Sequence, residues 1–196
     1  MKYRILEEYA DMLEKEGLLI SYDGGYARDA GMDVQIKDIS YNSILCGEGT
    51  LFICKGANFK SQYLSDAIEK GAVGFVCSSD FDEIDRFKKI PHLVVGDMRR
   101  AISKISAMYF DRSWDRGLKL VGLTGTKGKS TTATMIKSIL DVHCGREVGF
   151  SSGIYTYDGK QREKARKLTT PETIELHRIL DGCVRNDCKY LVMEVS

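Results

Sequence analysis

The run Gly125-Thr126-Lys127-Gly128-Lys129-Ser130-Thr131 gathers, within a single turn, the residue types that phosphate chemistry needs. Glycines at 122, 125 and 128 let the backbone curl until its N–H groups converge on an oxyanion, and a helix starting just beyond adds the positive end of its dipole. Lys129 supplies a mobile cation to bridge the β and γ phosphates of ATP, and Ser130 stands where a hydroxyl meets Mg²⁺. Thr126, Gly128 and Thr131 contribute mainly backbone donors, and Lys127 belongs to the same cofactor-binding loop as an exposed charge. The broad P-loop pattern asks for glycine at 123, where this chain has leucine, so the match is to a narrower variant. Glu194 closes a second apolar run, Leu191-Val192-Met193, where an unpaired carboxylate is costly. P-loop enzymes place a metal-facing acid on a strand beside the loop strand, which makes Glu194 the expected second Mg²⁺ anchor; simple solvation is the alternative.

Elements must hold these groups in place, and their periods are readable. Apolar residues at Ile5, Leu6, Tyr9, Met12 and Leu13 predict a helix stopped by Gly17. Strands are expected over Asp33–Ile39 and Thr50–Cys54, a second helix around Tyr63–Ile68 closed by Gly71, and strands over Ala72–Cys77 and Leu93–Val95. Asp97 caps a helix with Met98, Ile102, Ile105 and Tyr109 on its apolar face. Asp111 to Gly117 loses the apolar period and reads as a linker, dividing the chain into 1–112 and 113–196. Beyond it come the strand feeding the loop, a helix with Met135, Ile136, Ile139 and Leu140 on one face, and a short strand over Glu147–Phe150. A hairpin tip or mobile loop follows over Tyr157–Arg166. Thr170, as N-cap before Pro171, starts a helix to about Val184, and Lys189–Val195 is the last strand. The alternation means an α/β layer architecture. The second unit, with about three strands, looks unfinished, because nucleotide-binding sheets place their ligands beyond the carboxyl ends of strands and the chain stops there.

The 29 basic residues nearly cancel 28 acidic ones, for a net charge of +1, so no overall field selects nucleic acid or an anionic membrane. Glu7, Glu8, Asp11, Glu14 and Glu16 exclude a signal-peptide core at the N-terminus, and no apolar run is long enough to span a bilayer. Six cysteines without a Cys-x-x-Cys pair read as reduced and packed, and a monomer in the cytoplasm is expected. His92, His143 and His177 read as ordinary core or surface residues.

Gly122 to Thr131 also follows Gly-x-Thr-Gly-Thr-x-Gly-Lys-(Ser or Thr)-Thr, by which the chain resembles the Mur ligase family. Leu168-Thr169-Thr170-Pro171-Glu172 and Val192-Met193-Glu194-Val195-Ser196 are similar to the threonine pair and Glu-Val-Ser strand end of one branch. That branch adds the third stem-peptide residue to UDP-N-acetylmuramoyl-dipeptide in peptidoglycan synthesis. Ile39-Ser40-Tyr41-Asn42-Ser43, Gly49-Thr50-Leu51-Phe52 and Lys55-Gly56-Ala57-Asn58-Phe59 resemble its UDP-binding N-terminal domain. The resemblance implies a small N-terminal α/β UDP-binding domain followed by an incomplete parallel-sheet P-loop domain. It implies ATP and Mg²⁺ as cofactors, the UDP-linked dipeptide and an amino acid as partners, and an acyl-phosphate mechanism. It gives Ser43, Asn58, Thr169, Thr170 and Ser196 substrate contacts. Here Asn42 and Ile44 replace the aspartate and arginine of the family's Asp-Ser-Arg signature, which removes its charged contacts. Asn58-Phe59-Lys60 and Lys127 look like the lysine-adding subgroup. By this resemblance the chain is an N-terminal fragment, expected to make no amide bond by itself. Two alternatives stand: a noncatalytic UDP-sugar or nucleotide-binding module, and a relative with another acceptor, such as a folylpolyglutamate synthase or an amidotransferase partner.

Overall fold

A computed structural model describes residues 3–23, 33–56, 59–145, 147–164 and 169–196. The chain divides into two units, Met1–Tyr109 and Phe110–Ser196.

The first unit runs β1 (Arg4–Ile5), α1 (Leu6–Lys15), β2 (Leu19–Asp23), β3 (Gln35–Ile36), β4 (Asp38–Ser40), β5 (Thr50–Ile53), α2 (Ser61–Glu69), β6 (Ala72–Ser78), α3 (Ile84–Phe87), β7 (His92–Val95) and α4 (Met98–Tyr109). A five-stranded sheet has the order β2-β7-β6-β5-β4, parallel from β7 to β4, with β2 antiparallel at its edge. β5 and β7 are buried along their full length, as the near-continuous apolar runs of a covered parallel sheet require. Phe52, Leu64, Ala67, Phe75, Cys77 and Phe87 form one core on the α2 side. The ends of α1 and α4 follow local chemistry. The Glu8 carboxylate reaches back to accept from the Ile5 N–H at 3.2 Å, and the Asp97 carboxylate accepts from the Arg100 N–H at 3.0 Å. The expected strand over Asp33–Ile39 is shorter and broken: β3 pairs with β1, and β4 begins two residues later.

The second unit opens on a 3₁₀ turn, Ser113–Arg116, where an irregular linker was expected, entered through left-handed Asp111 and Arg112. It continues with β8 (Lys119–Leu123), α5 (Lys129–Cys144), β9 (Gly149–Ser151), β10 (Tyr155–Tyr157), β11 (Arg162–Lys164), α6 (Thr173–Arg185) and β12 (Tyr190–Glu194). Its sheet has five strands rather than three, in the order β11-β10-β9-β12-β8. β9, β12 and β8 are parallel, and the β10–β11 hairpin adds two antiparallel strands at the far edge. The tip expected near Asp158-Gly159 is the turn of that hairpin. The Asp158 carboxylate accepts from the N–H groups of Lys160 and Gln161.

Two helical expectations need correction. On α5 the buried side is Ala133, Ile136, Lys137 and Leu140, whereas Met135 and Ile139 lie on the opposite, exposed side with Val142. At 100° per residue, 135, 139 and 142 form one stripe and 133, 136, 137 and 140 another, so the four apolar positions never shared a face. α6 starts at Thr173 with Glu172 as N-cap, not at Thr170. The Thr170 hydroxyl is engaged elsewhere, with the backbone after β12.

His177 on α6 is buried between Phe110, stacked on it with centroids 6.2 Å apart, and Trp114 at 4.7 Å. Its Nδ1 has no hydrogen-bond partner among the described residues, and burial pulls its pKa down to about 4. Between that value and the ordinary one of 6.5 the unfolded chain takes up a proton that the folded chain refuses, so stability falls as the pH drops through this window. Urea unfolding should give about 2 kcal/mol less stability near pH 5 than near pH 7.5. His177→Phe should remove most of that slope, and an unchanged slope in the variant would assign it to other groups.

Candidate nucleotide-binding site

β8 delivers the chain into a loop that turns on two glycines in positive φ, Gly125 at 144° and Gly128 at 78°. Gly128 is the N-cap of α5, in a left-handed conformation that a side chain would strain, and the Thr132 N–H closes the first helical turn onto its carbonyl at 2.9 Å. The early amides of α5 therefore face outward from a sixteen-residue helix, as an anion site requires. Lys129, the first residue of that helix, folds its ammonium back over the loop and donates to the Gly125 carbonyl at 2.7 Å. Ser130 is half-buried beside it, and Thr126, Lys127 and Thr131 are exposed. The loop residues expected to meet phosphate thus lie together on one turn.

Glu194 lies level with the loop. In the parallel β12–β8 pair its register partner is Leu123, and the Val195 N–H donates to the Leu123 carbonyl at 2.8 Å. The carboxylate is only 2% exposed, which removes the alternative of a solvated side chain. Its Oε1 accepts from the Gly153 N–H at 3.3 Å, and no cation of the described residues forms an ion pair with it. A buried carboxylate with a neutral donor is suited to a divalent cation. Among the described residues no three His, Cys, Asp or Glu side chains form a metal cage by themselves. That donor set fits Mg²⁺ better than a transition metal, because Mg²⁺ keeps waters and takes phosphate oxygens beside one or two carboxylates.

The strand end also gathers the other candidates of this unit. The Thr170 hydroxyl accepts from the Ser196 N–H at 2.8 Å and lies 3.4 Å from the Glu194 carbonyl, to which it donates. A side chain at Gly153 would come within 4 Å of the Thr169 hydroxyl, so Thr169 borders the same corner. Thr169, Thr170, Glu194 and Ser196 are brought together. Sequence reasoning missed Ser152 and Gly153, which follow β9. The Ser152 hydroxyl accepts from the N–H groups of Ile154 and Tyr155 and closes the turn that aims the Gly153 amide at Glu194. The signal was present as Ser-Ser-Gly directly after an apolar strand.

In the first unit Ser43 is buried in a 3₁₀ turn at the carboxyl end of β4, and Lys70 donates to its carbonyl at 2.9 Å. Asn42, standing where the family has aspartate, accepts from the Ile44 N–H at 3.0 Å and shapes that turn. Lys55 sits over the Tyr41 ring, 5.1 Å from its centroid. Asn58 lies outside the described residues.

An apolar strand, a two-glycine turn with its lysine, and a buried acid on the neighbouring parallel strand give the second unit the arrangement of a P-loop domain. Residues 123–196 match the Mur ligase middle domain. The chain is 37% identical over 192 residues to the UDP-N-acetylmuramoyl-L-alanyl-D-glutamate–L-lysine ligase of Streptococcus pneumoniae serotype 2, a match spanning 97% of this chain and 38% of that protein. It is 34% identical over 194 residues to the UDP-N-acetylmuramyl-tripeptide synthetase of Lactococcus lactis subsp. cremoris, again covering 97% and 38%. Along 97% of its length the chain is similar to Mur ligases, and its residues 123–196 match the middle domain of that family. It spans about 38% of the length of the curated relatives it matches. In fold it is similar to MurF from Acinetobacter baumannii, with a TM-score of 0.60 at 21% identity, covering all of this chain and 36% of that one. It is also similar to a UDP-N-acetylmuramoyl-L-alanyl-D-glutamate–2,6-diaminopimelate ligase, with a TM-score of 0.69 at 16% identity and the same coverage.

Proposed function

We propose that this chain forms the UDP-substrate and ATP-binding part of a cytoplasmic ligase that adds the third stem-peptide residue to UDP-N-acetylmuramoyl-dipeptide. The observation that carries the proposal is the pairing of the Lys129 loop with buried Glu194 across β8 and β12. ATP would lie with its phosphates on the loop amides, Lys129 would neutralise the β and γ oxygens, and Ser130 and Glu194 would hold Mg²⁺. Mg²⁺ would supply charge neutralisation between two anions that otherwise repel. The reaction is transfer of the γ-phosphoryl group to the dipeptide's terminal carboxylate, followed by attack of the incoming amine on the acyl phosphate. It needs no side-chain nucleophile, only positioning and electrostatics. Thr169, Thr170 and Ser196 would orient the dipeptide beside the loop, and Ser43 with Asn58 would hold the uridine diphosphate in the unit formed by 1–112. The names of the relatives favour lysine as the added residue, and 37% identity to a lysine ligase supports that choice.

The test is NMR titration of the chain, first with Mg²⁺ and ATP, then with UDP-N-acetylmuramoyl-dipeptide. Shifts are expected at Gly125–Thr131 and Glu194 for the first ligand, and at Ser43, Thr170 and Ser196 for the second. Ligand excess that leaves both sets unmoved would overturn the reading. A noncatalytic binding module is distinguished by turnover: a protein joining this chain to the remainder seen in its relatives should form ADP and tripeptide, and a module would form neither.

A further inference from the structure

We infer that Cys183 and Cys188 are a reversible oxidation site, closing to an intramolecular disulfide when the protein meets hydrogen peroxide. The helix end that carries them places the pair. α6 stops with Asp187 in left-handed φ of 58°, the Cys188 N–H donates to the Cys183 carbonyl at 2.9 Å, and the Asp187 N–H to that of Val184 at 3.2 Å. This is a Schellman ending, whose geometry folds the residue after the turn onto the last helical turn. The two side chains meet inside a small core with Leu118, Leu180 and Leu191. Two glycines wall them in. A Cβ built at Gly149 would lie 2.4 Å from the Cys183 sulfur, and one at Gly159 would lie 2.4 Å from the Cys188 sulfur.

The thiols are also chemically unequal. Cys183 is fully buried, and its hydrogen bond with Cys188 together with desolvation pushes its pKa far up. The same hydrogen bond draws Cys188 below the ordinary thiol value, and Cys188 is the one with some exposure, at 7%. The difference in exposure assigns the order of events, because peroxide reaches the Cys188 sulfur before the fully buried Cys183. The Cys188 thiolate attacks one peroxide oxygen, the O–O bond breaks and hydroxide leaves, giving a sulfenic acid. The Cys183 thiol then attacks the sulfenic sulfur, its proton leaves with the hydroxyl as water, and the S–S bond forms. Peroxide is reduced to two waters, with one of its oxygens in each. Neither thiol has a part in the nucleotide chemistry proposed above.

The experiment treats the purified, folded chain with hydrogen peroxide, quenches by alkylation and digests with trypsin. Cleavage after Arg178, Arg185 and Lys189 separates the two cysteines into the peptides 179–185 and 186–189. The expected product is these two peptides joined, with loss of two hydrogen masses, and restored to free thiols by dithiothreitol. A variant with Cys46 and Cys144, the two half-buried cysteines, replaced by serine should form the bond equally well, and Cys188→Ser should not form it. The inference is overturned if the native chain keeps both thiols alkylatable after prolonged peroxide, if Cys188 goes on to a sulfinic acid, or if either cysteine links to a different partner. The peptide map of the native protein decides among these whether or not Cys188→Ser folds.

Discussion

Lys129→Ala is expected to weaken binding of ATP in the presence of Mg²⁺ by roughly 10- to 100-fold, equivalent to about 1.5–3 kcal/mol for a lost charged hydrogen bond. The ammonium is already held over the loop by the Gly125 carbonyl at 2.7 Å, so little ordering is left for the ligand to impose. The loop conformation itself rests on Gly125 and Gly128 rather than on the lysine, and Lys129 lies outside the buried core. The substitution should therefore leave the urea midpoint nearly unchanged. Calorimetry measures the affinity, and thermal unfolding without ligand supplies the control. Lys127→Ala should cost far less, because that side chain is exposed and makes no ion pair among the described residues. Equal affinities for the chain and its Lys129→Ala variant would show that the loop does not hold phosphate as proposed.

The largest effect on stability is expected at Lys137. This lysine is among the buried residues of α5, with its ammonium 2.7 Å from an Asp141 carboxylate oxygen, 3.7 Å from Glu147 and 5.3 Å from the centre of the Tyr157 ring. The other Asp141 oxygen accepts from the Val148 N–H at 2.8 Å, so the pair ties the helix to the entry of β9. Lys137 is the buried member, with Asp141 half-buried and Glu147 exposed, so removing it leaves two carboxylates without the cation that lies between them. Lys137→Ala should cost about 3 kcal/mol, with part of the loss from the aliphatic stem that packs in the core. Lys137→Met keeps that volume and should lose less. Adding Asp141→Asn to Lys137→Met should recover most of the remainder, since the amide oxygen can still accept from Val148. Urea denaturation of the three variants checks this order; a double variant as unstable as Lys137→Ala would mean that packing, not charge, dominates.

Much of the fold follows from period and punctuation. α1, α2 and α4 carry 3.6-residue apolar stripes with glycine or a capping carboxylate at an end, and β5, β6 and β7 are built on the apolar runs Leu51–Ile53, Ala72–Cys77 and Leu93–Val95. β2 escaped notice because it is an edge strand with only its ends half-buried, so it needs no apolar alternation. α3 has four residues, too few to show a helical period, and β11 is exposed throughout and owes its existence to pairing with β10. Lys137 was invisible as a core residue because a lysine is ordinarily read as surface, and only its partners at 141, 147 and 157 allow it to be buried.

The conformation of the glycine loop was legible by itself because its determinants are local. Glycine conformation, helix dipole and a lysine one residue into the helix all act within the stretch from Gly125 to Thr131, and no distant contact is needed to set them. Glu194 and the Thr169–Thr170 pair were legible only as candidates. Whether the acid is solvated or buried depends on the Gly153 turn, which the parallel pairing of β9 and β12 brings beside it from forty-one residues away in sequence. The sequence reads Thr170 as a helix cap, whereas packing offers its hydroxyl a second use, binding the chain at the end of β12. The tertiary structure chose the second because that partner arrives 26 residues later at 2.8 Å, while Glu172 takes the start of the helix. A hydroxyl's donor and acceptor capacity is written in the residue, but which partner wins is set by which groups packing brings within hydrogen-bond reach.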